Sequence, residues 1–275
     1  MNALETVRRV TRELDASGVP SPRVDAEHLV AHVLEVSRTE LYFTERALST
    51  DDEGRLRSLA VRRQSREPLA YILGEWGFRR LTLKVDGRVL IPRPETEVLV
   101  ERCLERLRGL REPRVLDIGV GSGAIALAIA EEHPRARVLG VDRSAAALEV
   151  AHDNLASSSV NGRVELRWGD FLAGISGPFD LVVSNPPYVS PQEYETLQPE
   201  IRLYEPREAL VGEGLGARIA REARSALGRG GWLALECGDG QAAALAQELA
   251  DLGYLEIVKT RDLAGRERIV EGRWG

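Results

Sequence analysis

Apolar residues recur at helical spacing through the first part of the chain. In Ala26–Leu34 the apolar positions fall three and four residues apart, as on one face of a helix. Ser21-Pro22, a few residues before this run, is typical of an N-cap followed by a proline in the first turn. Ser49 precedes the acids Asp51–Glu53, which suit the positive end of a second helix dipole. We therefore predict a helical domain over residues 1–75.

The periodicity changes to alternation between Trp76 and Leu90. Apolar and polar residues alternate there, and the segment contains Asp86-Gly87, a strong signal for the turn of a β-hairpin. We predict a β-hairpin linker over residues 76–90, which connects the helical domain to the rest of the chain.

Short runs with strand character alternate with helical segments from residue 91 onward. The strand candidates are residues 114–119, 136–142, 163–170, 179–183, 231–237, 254–260 and 267–273. This succession predicts an α/β fold over residues 91–275, with a doubly wound, Rossmann-like sheet of seven mostly parallel strands. Ligands bind beyond the carboxyl ends of the strands in such sheets, so the residues that follow each strand are the candidates for chemistry.

Composition places the chain among ordinary globular proteins. Of its 275 residues 43% are hydrophobic and 29% are charged, which fits one large or two modest domains. No apolar run approaches the length of a membrane span, and the N-terminal residues lack the apolar core of a signal peptide. With no such segment, we expect no membrane partner. Cys103 and Cys237 lie far apart without metal-ligand or redox spacing, which predicts a reduced, cytoplasmic protein with no bound metal.

Charge argues against a dedicated nucleic-acid-binding domain. The formal net charge is −6, and residues 1–75 contain 11 arginines against 13 aspartates and glutamates. A phosphate-binding surface usually needs a basic excess, so we expect no direct nucleic-acid substrate. One basic concentration remains at Arg55–Arg66, with five arginines and no acid. It is either a solvated helix face or a surface that docks a partner, and the sequence leaves both interpretations open.

A glycine-rich loop follows the first strand candidate of the α/β region. The segment from Val115 to Ala124 reads VLDIGVGSGA, and its candidate cofactor-binding residues are Asp117, Gly119, Val120, Gly121, Ser122 and Gly123. Glycines permit tight turns and a close approach of a ligand to the main chain. Asp142 ends the next strand candidate, where a carboxylate can hold ribose hydroxyls. These features predict a nucleotide-type cofactor.

The glycine spacing alone fits two kinds of cofactor, because the first two glycines and Ala124 also match the dinucleotide-binding pattern. Asp117 can pair with an ammonium group or order the loop around it, whereas a diphosphate would be repelled by this carboxylate. After the third strand candidate, Asp170 can accept from an adenine amino group and Phe171 can pack on the ring. These details favour S-adenosylmethionine, with S-adenosylhomocysteine as product, over a nicotinamide or flavin cofactor.

The fourth strand candidate ends in the tetrapeptide Asn185-Pro186-Pro187-Tyr188. Its prolines cannot donate to a sheet and hold the segment extended. A planar NH2 group is a poor nucleophile, because its lone pair is delocalised. The Asn185 side-chain oxygen and the Pro186 carbonyl can accept its two hydrogens and turn the lone pair toward a methyl donor. No strong general base is needed, because the methylated nitrogen loses its proton readily.

The tetrapeptide supplies all of the candidate catalytic residues. Asn185, Pro186 and Tyr188 are the candidate catalytic residues, and Tyr188 can stack on the planar group of the substrate. Together with Pro187 they are also candidate substrate-binding residues, and Asn185 can touch the cofactor as well. The combination with the glycine loop predicts methyl transfer to an amide or exocyclic amine.

Together these motifs resemble those of amino-methyltransferases, and within them the chain is similar to the HemK/PrmC family of protein-(glutamine-N5) methyltransferases. The resemblance covers nearly the whole chain and includes the glycine loop and the tetrapeptide. Its other motifs are REPLAYILG from Arg66, LIPRPETE from Leu90, EPREALVGEGLG from Glu205 and RDLAGRERIV from Arg261.

The resemblance implies a substrate and a division of labour. The helical domain would help to dock a class-I peptide chain release factor. The second domain would methylate the amide nitrogen N5 of the glutamine in a Gly-Gly-Gln loop, in support of translation termination. Phe171 departs from relatives that carry tryptophan at this position; it keeps an apolar ring and loses an N–H donor.

The motif IPRPETE leaves several roles open. Pro94 and the acids that follow it suit the first turn of a helix. Thr96 or the free N–H groups of that turn can meet the methionine carboxylate of the cofactor. Arg93, a candidate substrate-binding residue, can instead order the substrate loop. The sequence does not choose between these possibilities.

Three other interpretations compete with this one. A DNA or RNA adenine methyltransferase can carry the same tetrapeptide, but it needs base flipping and a path for phosphates. A dehydrogenase is disfavoured by Asp117. A catalytically silent adaptor is disfavoured by the intact tetrapeptide.

Overall fold

The computed structural model describes residues 2–44, 46–160 and 162–275 of the chain. These residues fold into two compact units. The first unit ends at Glu75 and also includes Gln198–Tyr204, and the second comprises Trp76–Leu197 and Glu205–Gly275. A short segment from the later part of the chain therefore belongs to the helical unit, which the sequence does not indicate.

Helices and strands follow one another along the described residues. The α-helices are α1 (Ala3–Ala16), α2 (Pro22–Leu34), α3 (Thr50–Gln64), α4 (Leu69–Leu73), α5 (Pro94–Leu107), α6 (Ala124–Glu132), α7 (Ala145–Ala156), α8 (Pro191–Tyr194), α9 (Pro199–Tyr204), α10 (Leu215–Ala223) and α11 (Ala242–Asp251). The strands are β1 (Glu75–Phe78), β2 (Leu81–Lys84), β3 (Arg114–Ile118), β4 (Arg137–Asp142), β5 (Val164–Trp168), β6 (Phe179–Ser184), β7 (Leu227–Glu236), β8 (Leu255–Arg261) and β9 (Glu267–Arg273).

The first unit is helical, as the sequence predicts. Helix α1 begins with a capping box between Asn2 and Glu5, and α3 begins with one between Ser49 and Asp52. Helix α2 begins at the predicted proline, although the side chain of Ser21 before it makes no capping hydrogen bond. Gly74 ends α4 in the left-handed conformation, with φ at 78°. Local capping chemistry therefore sets where these helices start and stop.

A buried arginine ties the segment Gln198–Tyr204 into the first unit. Arg63 of α3 donates through Nε to Asp25 at 2.7 Å and through Nη2 to Glu200 at 3.0 Å, and all three residues are buried. Arg66 donates two further hydrogen bonds to Glu200, at 2.6 and 2.7 Å. Hydrogen bonds between charged groups are among the stronger ones in proteins, so they fix α9 to α3 and α2.

Most of the basic segment noted in the sequence is therefore used inside the unit. Besides the two arginines that bind Glu200, Arg62 forms an ion pair with Glu67 at 2.5 Å. The two remaining arginines of the segment, Arg55 and Arg57, are exposed. If this segment docks a partner, Arg55 and Arg57 are the arginines available for the contact.

The second unit opens with a β-hairpin whose turn the sequence misplaces. Strands β1 and β2 pair, but the chain reverses at Arg79-Arg80 and not at Asp86-Gly87. Arg79 has φ at 50°, and its backbone N–H donates to Glu97 at 2.9 Å. The predicted turn is wrong because Asp86 accepts from the Arg88 backbone N–H at 3.0 Å and from its guanidinium at 2.9 Å. These bonds close a separate turn after β2.

A seven-stranded sheet lies at the centre of the second unit and confirms the predicted doubly wound α/β fold. The strand order is β5-β4-β3-β6-β7-β9-β8. The pairs from β5 to β7 are parallel, and β9 is antiparallel to both β7 and β8. One apolar layer packs with α5, α6 and α7, and a second layer packs with α10 and α11.

Alternation along the strands assigns side chains to the two faces of the sheet. In β3, Val115 belongs to the layer with α5–α7 and Leu116 to the layer with α10 and α11. In β7, Ala234 belongs to the layer with α5–α7. The same alternation directs Asp117 and Glu236, two buried carboxylates, toward the α5–α7 side.

Strands β3 and β6 are neighbours in the middle of the sheet. They pair in parallel, and Ile118 at the end of β3 is in register with Ser184 at the end of β6. The residues that follow the two strands therefore emerge next to each other. This register brings the glycine loop and the tetrapeptide to the same edge of the sheet.

The described residues contain neither a membrane-spanning helix nor a cluster of metal ligands. None of the helices in the described ranges is long and apolar enough to cross a bilayer. Over the same residues, no group of three or more histidine, cysteine, aspartate or glutamate side chains could hold a metal ion. Both cysteines are buried and free.

We expect Arg63→Met to destabilise the protein strongly. The substitution leaves the buried Asp25 carboxylate without its cation, and breaking a buried ion pair in this way costs about 3–5 kcal/mol of unfolding free energy. Arg57→Met, at an exposed position of the same helix, should change the unfolding free energy by less than about 0.5 kcal/mol. Urea denaturation followed by circular dichroism measures both variants, and equal midpoints would contradict a structural role for the pair.

Candidate active site

A cleft opens at the carboxyl ends of the parallel strands. Its walls include these residues that the sequence singles out: Gly119, Gly121, Asp142, Asp170, Phe171, Asn185, Pro186 and Pro187. Its walls also include residues to which the sequence assigns no individual role: Arg88, Val89, Arg143, Ser144, Pro206 and Glu208. The fold thus gathers the residues after four different strands, as expected for a doubly wound sheet.

The turn between β3 and α6 depends on glycines. Gly119, Gly121 and Gly123 have φ at 76°, 54° and 88°, a region that residues with a side chain rarely adopt. Gly140 in β4 allows the loop to pack closely, since a Cβ there would lie 2.7 Å from Val120 Cγ2. The loop therefore rests on β4 and presents main chain to the cleft.

Asp142 ends β4 and closes the glycine loop. Its Oδ2 accepts from the Gly121 N–H at 2.9 Å, and its Oδ1 accepts from the Ser144 N–H at 2.9 Å. Each oxygen keeps a further lone pair for a hydroxyl donor. The Gly121 N–H is thus already engaged, and a diphosphate placed there would meet a carboxylate. This geometry favours ribose hydroxyls over a diphosphate.

Four residues of the expected cofactor set are not among the described walls of the cleft: Asp117, near the end of β3, and Val120, Ser122 and Gly123, within the glycine loop. Asp117 is fully buried, and its Oδ2 accepts from the Ala126 N–H at 3.1 Å near the start of α6. Its Oδ1 has no hydrogen-bond donor among the residues described. Burial raises the pKa of Asp117 to about 7. Of the two roles considered for Asp117, these contacts favour the ordering of the loop.

Asp170 and Phe171 follow β5, and both line the cleft. Phe171 has φ at 51°, which is uncommon for a bulky residue. Arg218 of α10 lies over its ring, with Cζ 4.1 Å from the ring centroid, and Arg218 Nη2 is 3.5 Å from Asp170 Oδ2. Arg218 thus orders both residues, and the uncovered part of the ring is available to a flat ligand.

Asn185 follows β6, and a side chain of α5 holds its amide group. Asn185 Nδ2 donates to Thr96 Oγ1 at 3.1 Å, and Thr96 Oγ1 donates to Glu236 Oε2 at 2.8 Å. Thr96 and Glu236 are buried, whereas Asn185 is half-buried and lines the cleft. Because its nitrogen is engaged, the amide oxygen of Asn185 is the end that can accept from a ligand.

Tyr188 is more enclosed than the sequence suggests. Its hydroxyl accepts from Arg268 Nη2 at 2.6 Å, and Arg268 Cζ lies 5.0 Å from the centroid of its ring. Its carbonyl accepts from Gln241 Nε2 at 3.0 Å. Burial raises the pKa of the Tyr188 hydroxyl to about 12. The ring lines a second cavity behind the two prolines, so stacking on a substrate would use the surface that Arg268 leaves uncovered.

Arg93 precedes α5 and forms an ion pair. Its Nη2 donates to Glu205 Oε1 at 2.5 Å, and Glu205 Oε2 accepts from the Ile91 N–H at 3.2 Å. Glu205 is buried. Arg93 thus joins the segment before α5 to the segment that begins at Glu205, which is compatible with a role in ordering a loop.

Glu236 and Arg268 are missed by sequence reasoning, and Thr96 is considered there only as a cofactor ligand. The signal for Glu236 is a single acid at the end of the apolar strand GWLALE, where alternation predicts an inward side chain. Arg268 lies in the closing strand β9, within the RDLAGRERIV motif, but neither periodicity nor spacing in that motif assigns it a role. These residues meet because β7 lies between β6 and β9, an order that periodicity does not provide.

The cleft fits an adenosyl sulfonium group better than a dinucleotide. Asp142 can bind ribose hydroxyls, Asp170 can accept from an amino group, and Phe171 can pack on a ring. The glycine loop offers its Gly121 N–H to Asp142 and not to a phosphate. These features match the chemistry of S-adenosylmethionine.

Two family models match separate parts of the chain. Residues 94–235 match the family described as "Methyltransferase small domain", and residues 5–74 match the "PrmC N-terminal domain". The fold is also that of a solved methyltransferase from Pyrococcus furiosus, with a TM-score of 0.54. That protein is 20% identical, and the match covers 82% of this chain and 100% of the other, so it shows the fold alone.

Curated relatives align along nearly the whole chain. The release factor glutamine methyltransferase of Deinococcus radiodurans is 42% identical over 280 residues, which cover 99% of this chain and 99% of the relative. The protein of the same name from Caulobacter vibrioides is 40% identical over 265 residues, with coverage of 94% and 92%. At this identity and coverage, the chain belongs to the release factor glutamine methyltransferase family.

Proposed function

We propose that this chain transfers the methyl group of S-adenosylmethionine to the amide nitrogen N5 of the glutamine in the Gly-Gly-Gln loop of class-I peptide chain release factors. The observation that carries the proposal is the pose of Asn185, whose amide oxygen is free to accept beside the glycine loop. The relatives that cover nearly the whole chain are named release factor glutamine methyltransferases. The modification would support translation termination, which places the activity in the cytoplasm.

Residues of the cleft would hold the cofactor by its polar and flat parts. Asp142 would bind the ribose hydroxyls, Asp170 the adenine amino group and Phe171 the adenine ring. Because Gly119 and Gly121 have no side chains, the cofactor can approach their main chain closely. When bound, S-adenosylmethionine supplies an electrophilic methyl group on a sulfonium and leaves as S-adenosylhomocysteine.

Asn185 and Pro186 would prepare the substrate amide for methylation. The lone pair of an amide nitrogen is delocalised into its carbonyl, so the nitrogen needs help to act as a nucleophile. The Asn185 oxygen and the Pro186 carbonyl accept its two hydrogens and hold the lone pair toward the methyl group. The gain is orientation together with electrostatic stabilisation of the transition state. Pro187 and the uncovered surface of Tyr188 bound the planar group.

The first unit is the candidate for recognition of the release factor. A glutamine side chain is small and common, so selectivity must come from a surface remote from the reacting nitrogen. In the basic segment of this unit, three of five arginines already bind carboxylates, which leaves little charge for phosphates. Arg55 and Arg57 are the exposed pair that a protein partner can meet.

Asn185→Ala should slow methyl transfer by a factor on the order of 10²–10³, because it removes one of two acceptors for the amide hydrogens. Full-length enzyme with isotope-labelled S-adenosylmethionine and intact release factor, in single turnover, gives the rate. Mass spectrometry locates the methyl group on the glutamine. DNA offered in place of the release factor should stay unlabelled.

The same variant needs two controls. Calorimetric affinity for the cofactor and the midpoint of urea unfolding separate a chemical defect from a binding or folding defect. Near wild-type transfer by Asn185→Ala would remove Asn185 from the mechanism. Efficient labelling of DNA by the wild-type protein would overturn the proposed substrate.

Asp142→Ala should weaken cofactor binding by about 10- to 100-fold, the equivalent of one hydrogen bond to a charged group. Turnover at saturating cofactor should fall less, since a ribose contact is equally strong in the ground state and the transition state. Asp142→Asn keeps one acceptor oxygen and should lose less affinity. Unchanged calorimetric affinity in Asp142→Ala would take this residue out of the cofactor site.

Replacing both Arg55 and Arg57 by glutamate in the full-length chain should raise KM for the release factor by about 10-fold at low salt, because exposed charges steer association. Saturated turnover and cofactor affinity should stay close to those of the wild-type protein, and added salt should reduce the difference in KM. Steady-state kinetics at two salt concentrations measure the effect.

Replacement of Arg8 and Arg12, two exposed arginines of α1, by glutamate is the matched control, since it makes the same change in net charge. An equal rise in KM for both double variants would point to net charge and not to a docking face. Full-length variants are preferable to truncation, because removal of the first helices would leave Glu200 without its arginine partners.

A further inference from the structure

The tetrapeptide is held at both ends around one buried carboxylate. Glu236, the last residue of β7, is 1% exposed. Its Oε2 accepts from Thr96 Oγ1 at 2.8 Å, and Thr96 Oγ1 accepts from Asn185 Nδ2 at 3.1 Å. On the other side, Arg268 Nη2 lies 4.0 Å from Glu236 Oε1 and donates to the Tyr188 hydroxyl at 2.6 Å. Asn185 and Tyr188 therefore share Glu236 as a common neighbour.

The donors and acceptors in these contacts determine which end of the Asn185 amide faces Thr96. An ionised carboxylate only accepts, so the Thr96 hydroxyl gives its single proton to Glu236. Thr96 then offers only a lone pair to Asn185, and only the NH2 end of the amide can face it. The amide oxygen consequently points away from Thr96. A rotated amide would set two acceptors against each other and would present an NH2 group to the substrate.

We propose, on the basis of the function proposed above, that Glu236 and Thr96 are positioning residues that hold the Asn185 amide with its oxygen toward the substrate. Both act through Asn185, because the walls of the cleft, within the described part of the chain, include Asn185 but neither of these two side chains. Their contribution is the orientation of an acceptor and not a contact with the reacting nitrogen.

A second buried glutamate shows how Glu236 differs from a purely structural acid. Glu271 in β9 is fully buried, and Arg102 and Arg106 donate to its two oxygens at 2.8 and 2.7 Å. Glu236 has its arginine at 4.0 Å, and its Oε1 lacks a hydrogen-bond donor among the described residues. A buried carboxylate that is paired less closely than Glu271 costs stability, and the hydrogen bond from Thr96 is the shorter of its contacts with Thr96 and Arg268.

The ionisation of Glu236 should be visible in the rate. Burial raises its pKa to about 7, against the Thr96 hydrogen bond and the charge of Arg268. The other titratable groups that face it are Glu95, Tyr188 and Cys237; burial raises the pKa of Tyr188 to about 12 and that of Cys237 to about 11, so both stay neutral near pH 7.

As the pH falls through about 7, Glu236 takes up a proton. It can then donate to Thr96, and the amide of Asn185 is no longer forced into one orientation. The saturated rate of the wild-type protein should therefore fall on the acid side. Asp117 also has a pKa of about 7, so the diagnostic result is that Glu236→Gln flattens this acid limb and lowers the plateau above it.

The first test compares three variants of the full-length protein. Thr96→Val removes the hydroxyl at nearly constant shape and should lower the saturated rate by about 10- to 100-fold, as expected for a misplaced catalytic group. Thr96→Ser keeps the hydroxyl and should recover most of that loss. Thr260→Val is the matched control, because it removes a hydroxyl contact with Glu271, at 3.4 Å, elsewhere on the sheet. This control should keep the wild-type rate.

Cofactor affinity and the midpoint of urea unfolding are measured for each variant. A rate loss in Thr96→Val with both quantities near wild-type values supports positioning. A wild-type rate in Thr96→Val, or an equal loss in Thr96→Ser, overturns the proposal. If Thr96→Val does not fold, the saturated rates of Glu236→Gln and Thr96→Ser are compared in its place.

A second readout needs no substrate. The chain contains four asparagines, so selective isotope labelling gives few side-chain amide signals in an NMR spectrum, and Asn185→Ala assigns the one of interest. Thr96→Val should shift that signal and speed its hydrogen exchange, whereas Thr260→Val should not. An unmoved Asn185 signal in Thr96→Val overturns the proposal. A wild-type protein that leaves release factor unmethylated would refute the proposed function, and this spectrum would still decide the pose of the amide.

Discussion

Strands β3 and β6 pair in parallel at the middle of the sheet, with Ile118 opposite Ser184, and the site depends on this register. It delivers the glycine loop and the tetrapeptide to one edge, so that a cofactor cradle and an acceptor for the substrate lie side by side. A slip of one residue would turn the alternate side chains of β6 to the opposite face and move Asn185 away from the loop. Regular sheet geometry therefore sets the precision of the site.

Two buried charged residues on neighbouring strands, Glu236 and Arg268, support the tetrapeptide from behind. Alternation in β7 directs Glu236 to the side of α5, where Thr96 meets it, and β9 supplies Arg268 from the next strand. These groups are costly to bury, and the fold offsets the cost only in part. The tetrapeptide is thus supported from behind by side chains that lie outside the wall of the cleft, which is how an acceptor can be held rigid without contact with substrate.

The first unit is linked to the same chemistry through the chain. The segment Gln198–Tyr204 belongs to this helical unit, where Arg63 and Arg66 bind Glu200, and it follows the tetrapeptide after one short helix, α8. The unit proposed to recognise the release factor therefore incorporates part of the chain that leads away from Tyr188. Most of the charge in its basic segment stabilises this arrangement, and only a small part is exposed.

Local pattern determined much of this protein. Periodicity of 3.6 and 2.0, capping residues and glycine turns predict the helical region, the seven-stranded sheet, the glycine loop and the tetrapeptide, because each depends on neighbours within a few residues. The same local reasoning misplaces the hairpin turn, since Asp86 satisfies the Arg88 N–H in a turn of its own. Only the tertiary structure decided that Thr96, 140 residues before Glu236, joins it to Asn185. Strand order and the pairing of distant buried polar groups leave no trace in local periodicity, and they fix which end of the Asn185 amide faces the cleft.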